Sequence, residues 1–247
     1  GGTAYFNNGV VIGSELSNIY INDETGVEVD TIKLIANEFE SLTYSNQTHN
    51  FEIYNNFVNK INTNNGYNGM YFEAIPNSID NWGIIANNTI EFTYSYNDYS
   101  VSGINFSFSG SQFGGLTIVN NYIHNLYGSY SYAISFTYNN VVPNTFIANN
   151  SGFTNYISNF ESSVYMADNN QSGNSISYSS STGNLSSNFS NLGLDQAPYY
   201  DIDGTRNDIG NSGGPHAWSL YHTSGGKAVI FDLEIPSQIY LGTSQSI

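Results

Sequence analysis

Apolar and polar residues alternate along this chain in short runs that end on asparagine. The clearest run is WGIIANNTI, Trp82 to Ile90. FEIYNNFV starts at Phe51, LTIVNNYI at Leu116 and TFIANNSG at Thr145, while IKLIANEF at Ile32 and VYMADNNQ at Val164 are looser copies. Aligned on one asparagine, the copies give Asn37, Asn56, Asn88, Asn121, Asn150 and Asn169. Three residues earlier stand Leu34, Ile53, Ile85, Ile118, Ile147 and Met166, all apolar. Two residues later the first four copies carry Phe39, Val58, Ile90 and Ile123. Such a period of two predicts a strand that ends in an asparagine turn and then resumes. The copies follow at steps of roughly 19, 32, 33, 29 and 19 residues, the range of stacked repeat folds.

A second register runs inside the long steps. Gly69-Met70-Tyr71-Phe72, Gly103-Ile104-Asn105-Phe106 and Ala133-Ile134-Ser135-Phe136 share the order small, apolar, any, apolar. Met70, Ile104 and Ile134 precede the next aligned asparagine by about 18, 17 and 16 residues. Each long step therefore holds at least two strands in fixed relation. Stacking the steps gives an all-β, single-stranded parallel β-helix, a solenoid of roughly seven to nine turns. Equivalent strands then pair, inward residues form apolar columns, and the aligned asparagines form an internal amide ladder that caps the turns. Leucine-rich repeats would need a consensus that is absent, and propeller blades would need hairpins between antiparallel strands. Helix-forming runs of Ala, Leu, Glu and Lys are missing.

Composition narrows the partners. The chain has 247 residues, no Cys, Lys plus Arg 4, Asp plus Glu 20 and a formal net charge of −16. That balance excludes nucleic acid and anionic lipid, which need cationic side chains. No disulfide framework or thiolate metal site is available. The 21 Tyr and 15 Phe, spaced with regular aliphatics, argue against a disordered polar chain. No apolar run approaches the roughly 20 residues of a membrane span, and no signal peptide opens the sequence.

The ends differ from the middle. Residues 1–30 carry weaker strand signals at Thr3 to Phe6, Val10 to Ile12, Asn18 to Ile21 and Val27 to Val29, read as first rungs or a cap. Residues 171–195 are rich in Ser, Gly and Asn, fitting a surface loop or an irregular last turn. A distinct block runs from Ala197 to Pro215, and strand signals follow at Lys227 to Leu233 and Ile235 to Leu241. The expected division is 1–215, helix with terminal cap, and 216–247, a short β extension that begins a linker or further domain. The chain is expected to be a piece of a longer protein.

The repeat resembles the pectate-lyase-like right-handed parallel β-helix. DIDGTRNDIGNSGGP, Asp201 to Pro215, is similar to the terminal segment of secreted β-helix proteins of the Bacteroidota, with Asn211 where the signature usually has Ala. The resemblance covers roughly residues 1–215 and specifies fold more than activity. It implies a right-handed helix closed by a terminal cap. It also implies export to the cell surface or medium, with type 9 secretion as the expected route.

Chemistry-bearing residues are sparse. A polyuronate lyase on this fold would work with basic residues or calcium, yet the cations are only Lys33, Lys60, Arg206 and Lys227. Arg206 is expected to pair with its acidic neighbours. Hydrolases need clustered carboxylates. Asp80, Asp98 and Asp168 are scattered, while Glu38, Glu52, Glu73 and Glu91 adjoin the repeats. Of these, Glu52, Glu73 and Glu91 sit at outward positions that could line one face. His49, His124, His216 and His222 match no metal spacing. Asp201, Asp203 and Asp208, with Gly204, suit either a calcium site or a structural cap. Tyr94, Tyr96 and Tyr99, with Tyr127, Tyr130 and Tyr132 one turn later, suit either glycan contact or loop packing. No catalytic residue is assigned. The expectation is a non-catalytic extracellular module: a stalk, adhesin or surface-assembly component that contacts polysaccharide or surface proteins and is able to assemble end to end. A polysaccharide lyase or glycoside hydrolase is the alternative.

Overall fold

Alternation forces one side of every repeat strand inward, and the asparagine turn redirects the chain before the next strand. The computed structural model describes residues 2–6, 9–22, 31–45, 49–60, 68–74, 80–92, 102–107, 114–124, 132–136, 145–152, 157–158, 165–166, 171–172, 178–179, 184–185 and 191–221. Ala4–Phe6, Asn18–Asn22, Ser41–Ser45, Asn68–Ala74, Ser102–Phe106, Tyr132–Phe136 and Ile157–Ser158 form sheet I. Val10–Ile12, Thr31–Ile35, Asn50–Tyr54, Trp82–Ala86, Gly115–Val119, Thr145–Ala148 and Tyr165–Met166 form sheet II. The strands after the asparagines, Glu38–Phe39, Phe57–Lys60, Thr89–Phe92, Tyr122–His124, Ser151–Gly152 and Gln171–Ser172, form sheet III. After the first circuit, which meets sheet III only through a Glu15–Glu38 bridge, each circuit adds one strand to each sheet, and pairing within all three is parallel. The chain is thus all-β with three parallel sheets, compatible with the β-helix that the repeat predicts. Among the described residues, the only helical segments are the 3-10 turns Ala197–Tyr199 and Trp218–Leu220.

Like residues meet like in the interior. Leu34, Ile53, Ile85, Ile118, Ile147 and Met166 are successive register partners in sheet II. Phe39, Val58, Ile90 and Ile123 do the same in sheet III. Sheet I carries two inward columns, one from Ile19 through Leu42, Met70 and Ile104 to Ile134. The other runs Ile21, Tyr44, Phe72, Phe106 and Phe136, with the last three rings stacked at 4.7 and 4.9 Å between centroids. Burying each such side chain contributes about 1.5–3 kcal/mol. The small residue of the second motif now has a cause. A Cβ at Gly69 would stand 2.6 Å from Ile90 of sheet III, and one at Gly103 would stand 2.7 Å from Ile123. Gly83 serves likewise in sheet II, where the ring of Phe51 fills the space a Cβ would take.

The aligned asparagines stack. Asn37, Asn56, Asn88 and Asn121 each donate from main-chain N and from Nδ2 to Oδ1 of the next, ending on Asn150. The Nδ2 groups also donate to main-chain carbonyls one circuit back: Asn56 to Leu34, Asn88 to Ile53, Asn121 to Ile85 and Asn150 to Ile118. At the first circuit Ser14 N donates to Asn37 Oδ1. All five asparagines are fully buried. In a medium that offers no water, this chain of amides satisfies groups that would otherwise cost about 1–3 kcal/mol each. Asn169 lies outside the described residues.

Candidate functional site

The residue before each ladder asparagine takes the opposite role. Asn55, Asn87, Asn120 and Asn149 have φ of 55, 57, 57 and 53°, and Ala36 in the earlier circuit has φ 52°. Asparagine tolerates this left-handed conformation better than other side chains that carry a Cβ. The turn aims its amide away from the interior, and residues 191–221 run along the resulting column. Asn149 Nδ2 donates to Leu192 O, and Leu194 N donates to Asn120 Oδ1. Asn87 Nδ2 donates to Asn207 Oδ1 and Asp208 O. Asn55 Nδ2 donates to Asn211 O and Gly213 O, and Thr89 Oγ1 exchanges bonds with Asn211. Trp218 then packs edge-on against Phe57, in a cluster with Ile35, Ala36 and Tyr221. The segment is a strap laid lengthwise across six circuits, from that of Asn149 back to the first, where Ile12 packs against the Trp218 cluster.

This placement changes the reading of the terminal block. An end cap was the expectation; the described block instead lies on the flank, because its bonding partners are side-pointing amides rather than an open sheet edge. It also continues through 216–221 into the region assigned to a separate extension, while 222–247 lie outside the described residues. The strap explains why outward residues beside the turn are apolar or small. Ala86, Val119 and Ala148 pack with Leu194 and Tyr199, and Tyr122 packs with Ile209.

The acids of the block are occupied by the strap itself. Asp201 Oδ1 accepts from Gly214 N and Asp208 N, Asp203 Oδ1 from Thr205 N and Oγ1, and Asp208 Oδ1 from Asn191 N. Burial pushes Asp201 and Asp208 above the ordinary carboxylate value, and the Thr205 hydroxyl holds Asp203 below it. Among the described residues no group of three or more His, Cys, Asp or Glu is arranged to hold a metal, and Asp201, Asp203 and Asp208 each accept main-chain N–H bonds within the strap. Arg206 donates from Nε to Gly193 O at 2.7 Å, and among the described residues it forms no ion pair with an acid.

A second cluster has no counterpart in the sequence reading. The strap sets the His216 ring 5.4 Å from that of Tyr54, with Nδ1 3.2 Å from the Tyr221 hydroxyl. Glu52 and Lys33, ion-paired at 3.0 Å on sheet II, lie close enough to act on the imidazole. Burial chiefly, and Lys33 in addition, hold His216 below its ordinary value, while Glu52 opposes them. Tyr54 is pushed far above the ordinary phenol range by burial, with Glu52 and Tyr199 adding to it. His216 stands more than 160 residues from Lys33, Glu52 and Tyr54, and no local motif announces their meeting.

The outward acids do not share a face. Glu52 projects from sheet II, Glu73 from sheet I and Glu91 from sheet III. Glu91, half-buried, is raised by desolvation. Glu15, Glu38 and Glu40 border one cavity of about 190 Å³ with Leu16, Ser17, Phe39 and Asn59. Of the tyrosines expected to meet glycan, Tyr132 opens a strand of sheet I beside Ser102. Tyr94, Tyr96, Tyr99, Tyr127 and Tyr130 lie outside the described residues. Other tyrosines, not singled out in the sequence, do line that sheet: Tyr5, Tyr20 and Tyr71 share its outer column with Thr43 and Asn105. Only Tyr71 had a signal in the sequence, as the unspecified third place of the second motif. Among the described residues, no helix is long and apolar enough to cross a membrane.

No protein-family model matches the chain, and comparison with curated proteins and with solved structures finds no match.

Proposed function

We propose that this chain is a right-handed parallel β-helix of the pectate-lyase-like kind, serving as a non-catalytic extracellular module of a bacterial surface or secreted protein. Its role is that of a stalk, adhesin or surface-assembly component in contact with glycans. One observation carries the non-catalytic part. Among the described side chains, the charged groups that polyanion chemistry would need are committed internally: Lys33 to Glu52, Arg206 to Gly193 O, and the strap acids to main-chain N–H groups, the side chains of Lys60 and Lys227 lying outside them. Stacked circuits then supply length and long flat faces rather than a reacting centre. The similarity of the strap block to exported Bacteroidota proteins supports the extracellular assignment and type 9 secretion.

The test has two arms. Purified protein is incubated with neutral and acidic polysaccharides while new reducing ends and unsaturated products are followed. Neither is expected to form. Antibody labelling of intact producing cells is expected to find the protein outside; an exclusively internal signal would sink the extracellular reading. One observation favours the enzyme alternative, the cavity bordered by Glu15, Glu38 and Glu40. Turnover that vanishes in Glu38→Gln or Glu40→Gln would establish a hydrolase there.

A further inference from the structure

The outer face of sheet I differs from the rest of the surface. Its central column reads Tyr5, Tyr20, Thr43, Tyr71 and Asn105 across successive circuits. In a chain of net charge −16, this column carries no charge. The exposed Glu73 stands beside it, at the register shift where Ser45 pairs with Ala74. Sheet II by contrast carries the Lys33–Glu52 pair, and the strand starts and cavity beside sheet III carry Glu15, Glu38 and Glu40. Tyr5 and Tyr20 stack at 5.1 Å with an 18° interplanar angle, and Tyr5 remains 69% exposed. The flanking column is amide and hydroxyl as well: Ser41 Oγ donates to Asn18 Oδ1, and Asn105 Nδ2 to Asn68 Oδ1.

We infer that this face binds an uncharged polysaccharide lying along the stacking direction, an assignment that rests on the glycan-contact reading above. Three features select that occupant. Phenol rings offer flat apolar surface with a polar tip, which suits the alternating CH and OH faces of a pyranose. Asn, Thr and Ser both donate and accept, as sugar hydroxyls do. A protein partner's contact centres on a fully buried apolar core, whereas every side chain of this column, the tyrosines included, ends in a hydroxyl or an amide. An acidic polysaccharide would meet the repulsion of the whole molecule and no cation on the face. Circuits repeat at about 4.8 Å, so a chain polymer would meet the face once per circuit and gain by repetition.

Affinity electrophoresis tests this with hydroxyethyl cellulose, galactomannan and polygalacturonate in the gel. At least one neutral polymer is expected to retard the protein, polygalacturonate is not, and Tyr20→Ala/Tyr71→Ala is expected to weaken retardation at least tenfold. Thr117→Ala on sheet II serves as the control, and Tyr20→Ser/Tyr71→Ser repeats the test should the alanine variant lose its strand circular dichroism. Retardation that survives both double variants overturns the face while leaving glycan contact standing. Absence of retardation by either neutral polymer overturns both. Retardation by polygalacturonate alone overturns the neutral class, and a protein captured on wild-type but not variant material in place of polymer overturns the glycan in favour of a protein ligand.

Discussion

Two columns of asparagine stand one residue apart, and they behave differently. The inner column, Asn37 to Asn150, bonds to itself and to main chain of neighbouring circuits. Its geometry is the same in every step, whether the step is 19 or 33 residues long. The outer column, Asn55 to Asn149, bonds to an aperiodic strap with a different partner at each circuit. Among the described residues its satisfaction is incomplete: Asn55 Oδ1, Asn120 Nδ2 and Asn211 Nδ2 are buried there with no bonding partner among them. One residue type thus serves as a lattice where repetition supplies its partner, and as an adaptable clasp where the partner must be found. The lattice belongs to the stability of the stacked sheets, the clasp to the holding of one segment on them.

The comparison breaks first at the ladder. Asn88→Ala removes acceptor and donors from the middle of the inner column, leaving Asn56 N and the Ile53 and Ala86 carbonyls short of bonds. With each orphaned group costing about 1–3 kcal/mol, a loss of about 5 kcal/mol is expected in urea unfolding, together with loss of strand circular dichroism at lower denaturant. Trp218→Ala is next. It empties the anchor over Phe57 and Ile35 at about 3 kcal/mol. Limited proteolysis should then cut within 191–221 while the sheets persist. Strand signal lost together with the strap would show that the two are one cooperative unit. Asn87→Ala takes one outer amide from Asn207 and Asp208 and is expected to cost about 1–2 kcal/mol, less than its inner neighbour.

The smallest effect is that of pH. His216 is held below its ordinary 6.5, so the folded strap favours the neutral ring. That contribution is complete above pH 6.5 and is lost as pH falls from there through the lowered folded value. Asp201 and Asp208, raised from 3.8, act with the opposite sign, gaining stability as acid protonates them in the strap, in a more acidic range. Protease resistance of the strap should therefore fall between neutral pH and the range below 6.5, and His216→Gln should flatten that fall. An unchanged slope in the variant would remove His216 from the account. Should the slope persist, Glu52 and Lys33, which face the ring from sheet II, are the next groups to replace.

Much of the stacking was readable because it is periodic. The spacing from Ile85 to Asn88 repeats in every copy, so register, inward columns and the amide ladder follow from one alignment, and Ile85, Ile118 and Ile147 stand side by side. The small residue at Gly69 and Gly103 was seen but not explained, since its cause is Ile90 and Ile123 on another sheet. Alternation allowed Glu52, Glu73 and Glu91 to share a face because it says inward or outward without saying which of three sheets, and the structure sets one on each. The strap's place on the flank was not legible because its partners are single amides on four circuits, Asn55, Asn87, Asn120 and Asn149, and its own sequence has no repeat to align.

Alternation and the asparagine pair alone determined that strands form, which residues turn inward and that equivalent residues stack, since these are local geometry repeated at fixed spacing. Only the tertiary structure decided what the first asparagine of each pair is for, and that His216 meets Glu52 and Tyr54. Those contacts join a non-repeating segment to a repeating one. Shape and hydrogen-bonding capacity at the surface select them, and no spacing along the chain encodes either.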